Sequence, residues 1–260
     1  MKILFITDVH YKEEGGTNYP HIGASDYINS FGPVLKEKAA ELRSLAEDFD
    51  LLVNLGDLIQ DKDLETDIRS YREAIELISG TTPVKHVVGN HDIRYLSREQ
   101  LAVCIGEKQI YYSFDLNGYH HTVLDANRRT MPGPFHVPDE QLAWLQEDLS
   151  QTNLETLVYC HYPLDNQSLL GNYYFKKENP SNGFPDNKEN IRTILEQSGK
   201  VKYVFNGHTH FYHQETINGI TYTTVPSFTE NNGSGEPTLE YLAAELDRQN
   251  YAVEVGSFRA

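Results

Sequence analysis

Cysteine is scarce: Cys104 and Cys160 are the only two in 260 residues, and they lie far apart. With no recognisable secretion signal beside them, the expectation is a reduced, cytoplasmic chain. Long apolar runs are missing as well. None approaches the ~20 residues that a membrane span needs. The apolar start, Met1 to Ile6, is too short for a signal peptide and is followed at once by Asp8 and His10. Positive charge is also in deficit, with 22 Lys and Arg against 38 Asp and Glu, a net of −16. Such a chain is a poor non-specific binder of duplex nucleic acid or of anionic membrane. An anionic substrate stays admissible, because a locally bound metal overrides the global field. No internal repeat and no low-complexity linker interrupts the chain. The remaining composition, 39% hydrophobic and 23% charged, is that of an ordinary globular protein long enough for a sizeable core. A single domain over residues 1–260 is expected.

Five segments share one pattern, a short apolar run that ends abruptly in metal-binding chemistry. Ile3 to Ile6 leads into Asp8-Val9-His10, and Leu51 to Leu55 into Gly56-Asp57. Val84 to Val88 leads into Gly89-Asn90-His91-Asp92, Leu157 to Cys160 into His161, and Val201 to Phe205 into Asn206-Gly207-His208-Thr209-His210. Runs of this length and composition read as buried strands, whose polar ends lie at the carboxyl edge of a sheet. Helical faces fall between them: Leu35, Ala39, Leu42 and Ala46; Leu64, Ile68, Tyr71, Ile75 and Ile78; and Leu142, Leu145 and Leu149 behind Pro138. Ser97 and Gln100 form a capping-box pattern, and Gly199 stops a helix carrying Ile191, Ile194 and Leu195. Asn117-Gly118 and Asn218-Gly219 are hairpin signals, and Leu239 to Val255 reads as a closing hairpin. Early β-α alternation followed by hairpins predicts an α/β fold of two sheets packed face to face with helices outside.

The strand ends supply Asp8, His10, Asp57, Asn90, His91, His161, His208 and His210. Oxygen and imidazole donors without a thiolate suit Mn, Fe or Zn. Seven donors, leaving His91 aside, exceed what one ion takes and suit two divalent ions sharing a carboxylate. Ions ~3.5–4 Å apart clamp the attacking and leaving oxygens of an in-line phosphoryl displacement. The pairs Asp8/His10 and His208/His210 are each two apart, so on an extended strand end their side chains share a side.

In order, and spread from position 8 to 210, these segments resemble the calcineurin-like metallophosphoesterase superfamily. The resemblance implies a four-layer α/β/β/α sandwich of two mixed sheets. It implies Asp8, His10 and His210 as ligands of one metal, Asn90, His161 and His208 as ligands of the other, and Asp57 as the bridge. His91 would then face the substrate and protonate the leaving oxygen after a bridging hydroxide attacks phosphorus. The stretch Gly56-Asp57-Leu58-Ile59-Gln60-Asp61-Lys62 departs from the Gly-Asp-x-x-Asp-Arg-Gly of protein Ser/Thr phosphatases. Gln60 stands where that branch has the Asp paired with the catalytic His, and no Arg follows to grip phosphate. The chain is more similar to the branch of class III cyclic-nucleotide phosphodiesterases, glycerophosphodiesterases and Mn-dependent ADP-ribose/CDP-alcohol diphosphatases. Gln141 to Leu145, upstream of His161-Tyr162-Pro163, is similar to the same branch.

The expected activity is therefore hydrolysis of a small phosphodiester or pyrophosphate. The alternatives are a phosphomonoesterase on the same metals and a non-catalytic binding protein, although no ligand is missing as such decay would require. The loops 11–31 and 165–190 follow ligand strands and are expected to rim the site, with Tyr173, Tyr174 and Phe175 as flat surfaces for a base or aryl group. His21, His86, His120, His121, His136 and His213 match no motif and read as surface or satisfied core. Cys160 reads as a buried strand thiol.

Overall fold

The computed structural model describes residues 1–13, 32–129, 133–172, 174–175, 180–230, 236–247 and 250–258. In chain order the elements are β1 (Lys2–Ile6), α1 (Val34–Ala46), β2 (Leu51–Asn54), α2 (Leu64–Ile78), β3 (Val84–His86), α3 (Arg98–Ile105), β4 (Tyr112–Leu116) and β5 (Tyr119–Leu124). They continue with α4 (Asp139–Gln151), β6 (Glu155–Cys160), α5 (Lys188–Ser198), β7 (Val201–Asn206), β8 (His213–Ile217), β9 (Ile220–Thr224), β10 (Glu240–Leu246) and β11 (Tyr251–Ser257). One sheet has the order β11-β10-β1-β2-β3 and the other β4-β5-β6-β7-β9-β8. Both are mixed: β1, β2 and β3 run parallel, as do β5, β6, β7 and β9, while the hairpin strands at the edges run antiparallel.

Strand alternation divides the apolar side chains among three layers. On β1, Leu4 and Ile6 pack with Leu35 and Leu42 of α1 and Tyr71 of α2. Their neighbours Ile3 and Phe5 face the other sheet, against Tyr159 and Phe205. Phe5 and Phe205 stack with ring centroids 4.3 Å apart. On the far side, Val158 and Cys160 of β6 and Val204 of β7 pack with Leu145 of α4 and Ile191 and Leu195 of α5. Helices thus cover the outer face of each sheet, in the expected four layers. Each fully buried Leu, Ile or Phe contributes roughly 1.5–3 kcal/mol of transfer free energy.

Local chemistry sets the ends of the elements. Asn117 and Gly118 have φ of 50° and 83°, and Asn218 and Gly219 51° and 84°, the two positive values of a type I′ turn. Ser97 and Gln100 form the capping box of α3, and Gly199 closes α5 in the left-handed region. Three details depart from the periodicity. Pro138 has ψ of 155° and caps α4 from outside, so the helix begins at Asp139. Leu64 is 50% exposed, because α2 turns Asp67, Ser70, Tyr71, Ala74 and Ile78 inward. Strand β8 starts at His213, leaving Phe211 and Tyr212 exposed ahead of it. No helix among the described residues is long and apolar enough to cross a membrane.

His120, read as surface or satisfied core, is a buried and satisfied group on β5. Its Nδ1 lies 2.6 Å from Asp115 Oδ1 and its Nε2 2.9 Å from Asp148 Oδ2. Burial alone would lower its pKa, but the bonds to Asp148 and Asp115 outweigh that and raise it. A raised folded-state pKa stabilises the fold below the unfolded value of ~6.5, and the contribution disappears as pH climbs through the folded value. The stability margin of the wild type over His120→Asn should therefore be largest at mildly acidic pH and shrink on alkalinisation. Urea midpoints measured across that range check it, and a margin growing with pH would refute the assignment.

Candidate metal centre

The carboxyl ends of β1, β2, β3, β6 and β7 converge on one edge of the two sheets, and the turns that follow them carry the polar residues. Asp8, His10, Asp57, His208 and His210 all have φ between 49° and 68°. Left-handed backbone is uncommon for a residue with a side chain and costs of order 1–3 kcal/mol at each position. It persists here because the turns are held from several sides. Asp8 N donates to Gly56 O at 3.0 Å and His10 N to Asp57 O at 3.0 Å. Asp8 O accepts from Ser227 Oγ and Thr229 Oγ1. Glycine is required at two of these turns: a Cβ on Gly56 would lie 2.7 Å from His161 Nδ1, and one on Gly89 would strike the Asp57 backbone and carboxylate. Asp92 is wholly buried and ties the turns together, accepting from Gly89 N at 2.8 Å and Ile59 N at 3.1 Å.

The side chains gather into two groups. Asp8, His10 and His210 offer donor atoms that all lie within 4.8 Å of one another, and so do Asp57, His161 and His208. Each carboxylate spends one oxygen on the protein and turns the other into the site. Asp8 Oδ2 accepts from Thr7 Oγ1 and His208 N, while its Oδ1 has no hydrogen-bond partner. Asp57 Oδ1 accepts from His91 N at 2.8 Å, leaving Oδ2 3.4 Å from His161 Nε2. Asn90 Oδ1 and His161 Nε2 are likewise buried and without a hydrogen-bond partner. Buried polar atoms are rarely left so, and several converging on one spot call for a cation.

The rings are set for the same purpose by their other nitrogens. His161 Nδ1 donates to Leu55 O at 2.9 Å, His208 Nε2 to Asn182 O at 2.9 Å, and His210 Nδ1 to Glu230 Oε2 at 2.9 Å. The lone pairs are thereby assigned to His161 Nε2, His208 Nδ1 and His210 Nε2. These residues fit divalent ions in donor type, burial and tautomer. Among the protein charges alone, burial would lower the pKa of His161 and His210, but Asp57 and Asp8 push them up to about 9 and about 10. Metals must displace those protons, so loading weakens as pH falls.

His91 stands beside this centre, its ring edge-on to His10 at 4.8 Å and its side chain one quarter exposed. Its Nδ1 is 2.5 Å from Asp61 Oδ1, which leaves Nε2, 4.0 Å from Asp57 Oδ2, as the atom facing the site. Gln60 holds the position of the carboxylate that pairs with the catalytic His in the protein Ser/Thr phosphatase pattern. Asp61, one residue on, supplies it, and Gln60 Nε2 adds a contact at 3.2 Å. Burial opposes a charged ring, but Asp57 and Asp61 together raise the His91 pKa.

No Arg follows Asp57 in the motif, but two arginines approach the site from elsewhere in the chain. A cavity of about 220 Å³ beside Asn90 and His208 is lined by Arg94, Arg128, Phe135 and Phe175. Arg94 reaches it while bonded to Asp61, and Arg128 lies over the Phe135 ring with a bond to Asn182 Oδ1. Tyr174 and Phe175 lie against His210 and His208, with centroids 4.6 and 5.3 Å apart. Tyr173, and the loop 11–31 apart from 11–13, lie outside the described residues.

Glu230 was not legible as a site residue. It is 2% exposed, holds His210 Nδ1 and accepts from Tyr174 OH at 2.9 Å. It lies twenty positions beyond His210 in no recognisable motif, so no sequence signal exposes it. Removing such a support costs ~10–100-fold in metal affinity. Glu230→Gln should show a loss of that size in competition with a chromophoric chelator; unchanged affinity would contradict the role.

The sequence profile of the calcineurin-like phosphoesterases matches residues 1–212. The chain belongs to this family. As a calcineurin-like phosphoesterase it is a hydrolase of phosphoester bonds. It is 26% identical over 193 residues to a protein of Fibrobacter succinogenes named probable cyclic nucleotide phosphodiesterase, covering 73% of this chain and 69% of that one. It is 26% identical over 186 residues to purple acid phosphatase 21 of Arabidopsis thaliana, covering 64% of this chain but only 38% of the relative. A dimetal phosphatase from Danio rerio has the same fold, with a TM-score of 0.70 at 18% identity over 98% of this chain and 95% of that one.

Proposed function

We propose that this phosphoesterase cleaves a small phosphodiester or pyrophosphate with the help of two divalent ions, Mn, Fe or Zn. The observation that carries the reading is the pair of donor groups around Asp57, with His91 beside them and bonded to Asp61. Asp8, His10 and His210 would hold one ion, Asn90, His161 and His208 the other, and Asp57 both. Bound there, such ions supply Lewis acidity and a water of lowered pKa.

The protein's own contribution is placement and one proton. Glu230, Asn182 and the Leu55 carbonyl keep three imidazoles in the metal-binding tautomer. His91 carries a proton on Nε2 toward the departing oxygen, and Asp61 keeps the ring oriented through Nδ1. The buried turns exclude water from the inner side of the site.

Arg94 and Arg128 favour a second reading, in which a phosphomonoester dianion is gripped at the cavity beside Asn90. A hydrolysis panel with Mn²⁺ separates the two, comparing a bis-aryl phosphodiester, an aryl monoester, a cyclic nucleotide and a nucleoside-diphosphate ester. A diester or pyrophosphate should give the higher kcat/KM. A monoester preference with both metals bound would install the second reading.

A further inference from the structure

His213, Asp165 and Glu215 lie together behind the catalytic edge and take no part in the reading above. Asp165 is in the segment that follows β6, and His213 and Glu215 are two apart on β8, so their side chains share a face of the strand. Their donor atoms all lie within 4.8 Å of one another. His213 Nε2 is 3.9 Å from Asp165 Oδ2 and 3.8 Å from Glu215 Oε1. The corresponding spacings in the main centre are 3.3 Å for His210 and Asp8 and 3.4 Å for His161 and Asp57. One ion with bonds of ~2.0–2.2 Å reaches donors up to ~4 Å apart.

Two further observations point to a ligand. His213 Nε2 is shut off from solvent and has no hydrogen-bond partner. Asp165 is 0% exposed, and among the described residues its carboxylate accepts hydrogen bonds from Gln167, from N at 3.2 Å and from Nε2 at 3.4 Å. The nearby Lys188 ammonium goes instead to the Asp165 backbone carbonyl, at 2.6 Å. Among the described residues no ammonium or guanidinium is hydrogen-bonded to this carboxylate, and a buried carboxylate is costly unless a cation sits beside it.

We infer that Asp165, His213 and Glu215 bind a further divalent cation, distinct from the two proposed for the catalytic edge. One imidazole and two carboxylates suit Zn²⁺ or Mn²⁺. The ion cross-braces β8 to the segment after β6. Gln167 links Asp165 to Thr209, between His208 and His210, through a Thr209 Oγ1 bond of 3.2 Å, so the site lies one hydrogen-bond chain behind the ligand turn.

The test is a count. Chain stripped with a chelator and titrated with Zn²⁺ should bind three equivalents by elemental analysis after gel filtration. His213→Gln and Glu215→Gln should each bind two, with hydrolysis retained and an unchanged circular dichroism spectrum. Asp57→Asn should keep the ion at Asp165. Two equivalents in the wild type, or three in either β8 variant, overturns the site. A wild type that binds one ion, lost in His213→Gln, would uphold this site and sink the dinuclear reading, so the two stand or fall separately.

Discussion

Asp57→Asn should remove nearly all hydrolysis while leaving the chain folded. The exchange keeps the side chain's shape, and Asn tolerates the left-handed backbone at φ of 50° as Asp does. The amide oxygen can still accept from His91 N, the bond that holds the turn after β3. What is lost is the negative charge at Oδ2, in a pocket where Asp57 is 2% exposed and faces His161. Charge stabilisation by metals amounts to several kcal/mol. Losing ~4 kcal/mol of it lowers the rate ~10³-fold, at 1.36 kcal/mol per decade. The variant should bind fewer than two ions at the catalytic edge, while its urea midpoint shows a folded chain. Wild-type kcat/KM with both ions in place would remove Asp57 from the centre.

Replacing His91 should act on kcat with the metals still in place. His91→Gln and His91→Ala should each lower kcat by the ~10²–10⁴-fold that general acid catalysis contributes. The loss should be greatest for alkoxide leaving groups and smallest for nitrophenolates, which depart without a proton. Asp61→Asn should show the same dependence on leaving group, because Asp61 Oδ1 orients the His91 ring through Nδ1. His91 also comes within ligand distance of His10 and Asp57. Loss of an ion from His91→Ala would therefore make it a ligand, and an equal loss across leaving groups would place its charge on the non-bridging oxygens instead.

The clustered Asp, Asn and His side chains proposed as ligands were legible because each ends an apolar strand, and strands that bury both faces are conspicuous in sequence. Three apolar layers follow from the alternation of Ile3, Leu4, Phe5 and Ile6. Less legible was what supports those ligands. Asp61 was passed over because the spacing of another branch pointed to Gln60, yet the backbone after Ile59, bridged to Tyr11, brings both side chains to His91. Glu230, Asn182, Arg94 and Arg128 reach the site from turns and loops, where no periodicity marks which residue points inward. The outward turn of Leu64 shows the same limit on a helix: α2 can bury Asp67 because its carboxylate accepts from Lys62 N at 2.8 Å. An apolar pattern carries no sign of a polar residue held in this way.

The central claim is that two ions share Asp57. Anomalous diffraction from Mn²⁺-loaded crystals at the metal edge tests it most directly. Two peaks ~3.5–4 Å apart are expected, one touching Asp8, His10 and His210, the other Asn90, His161 and His208, with Asp57 reaching both. A single peak at this edge of the sheets, or two that Asp57 does not touch, would contradict it.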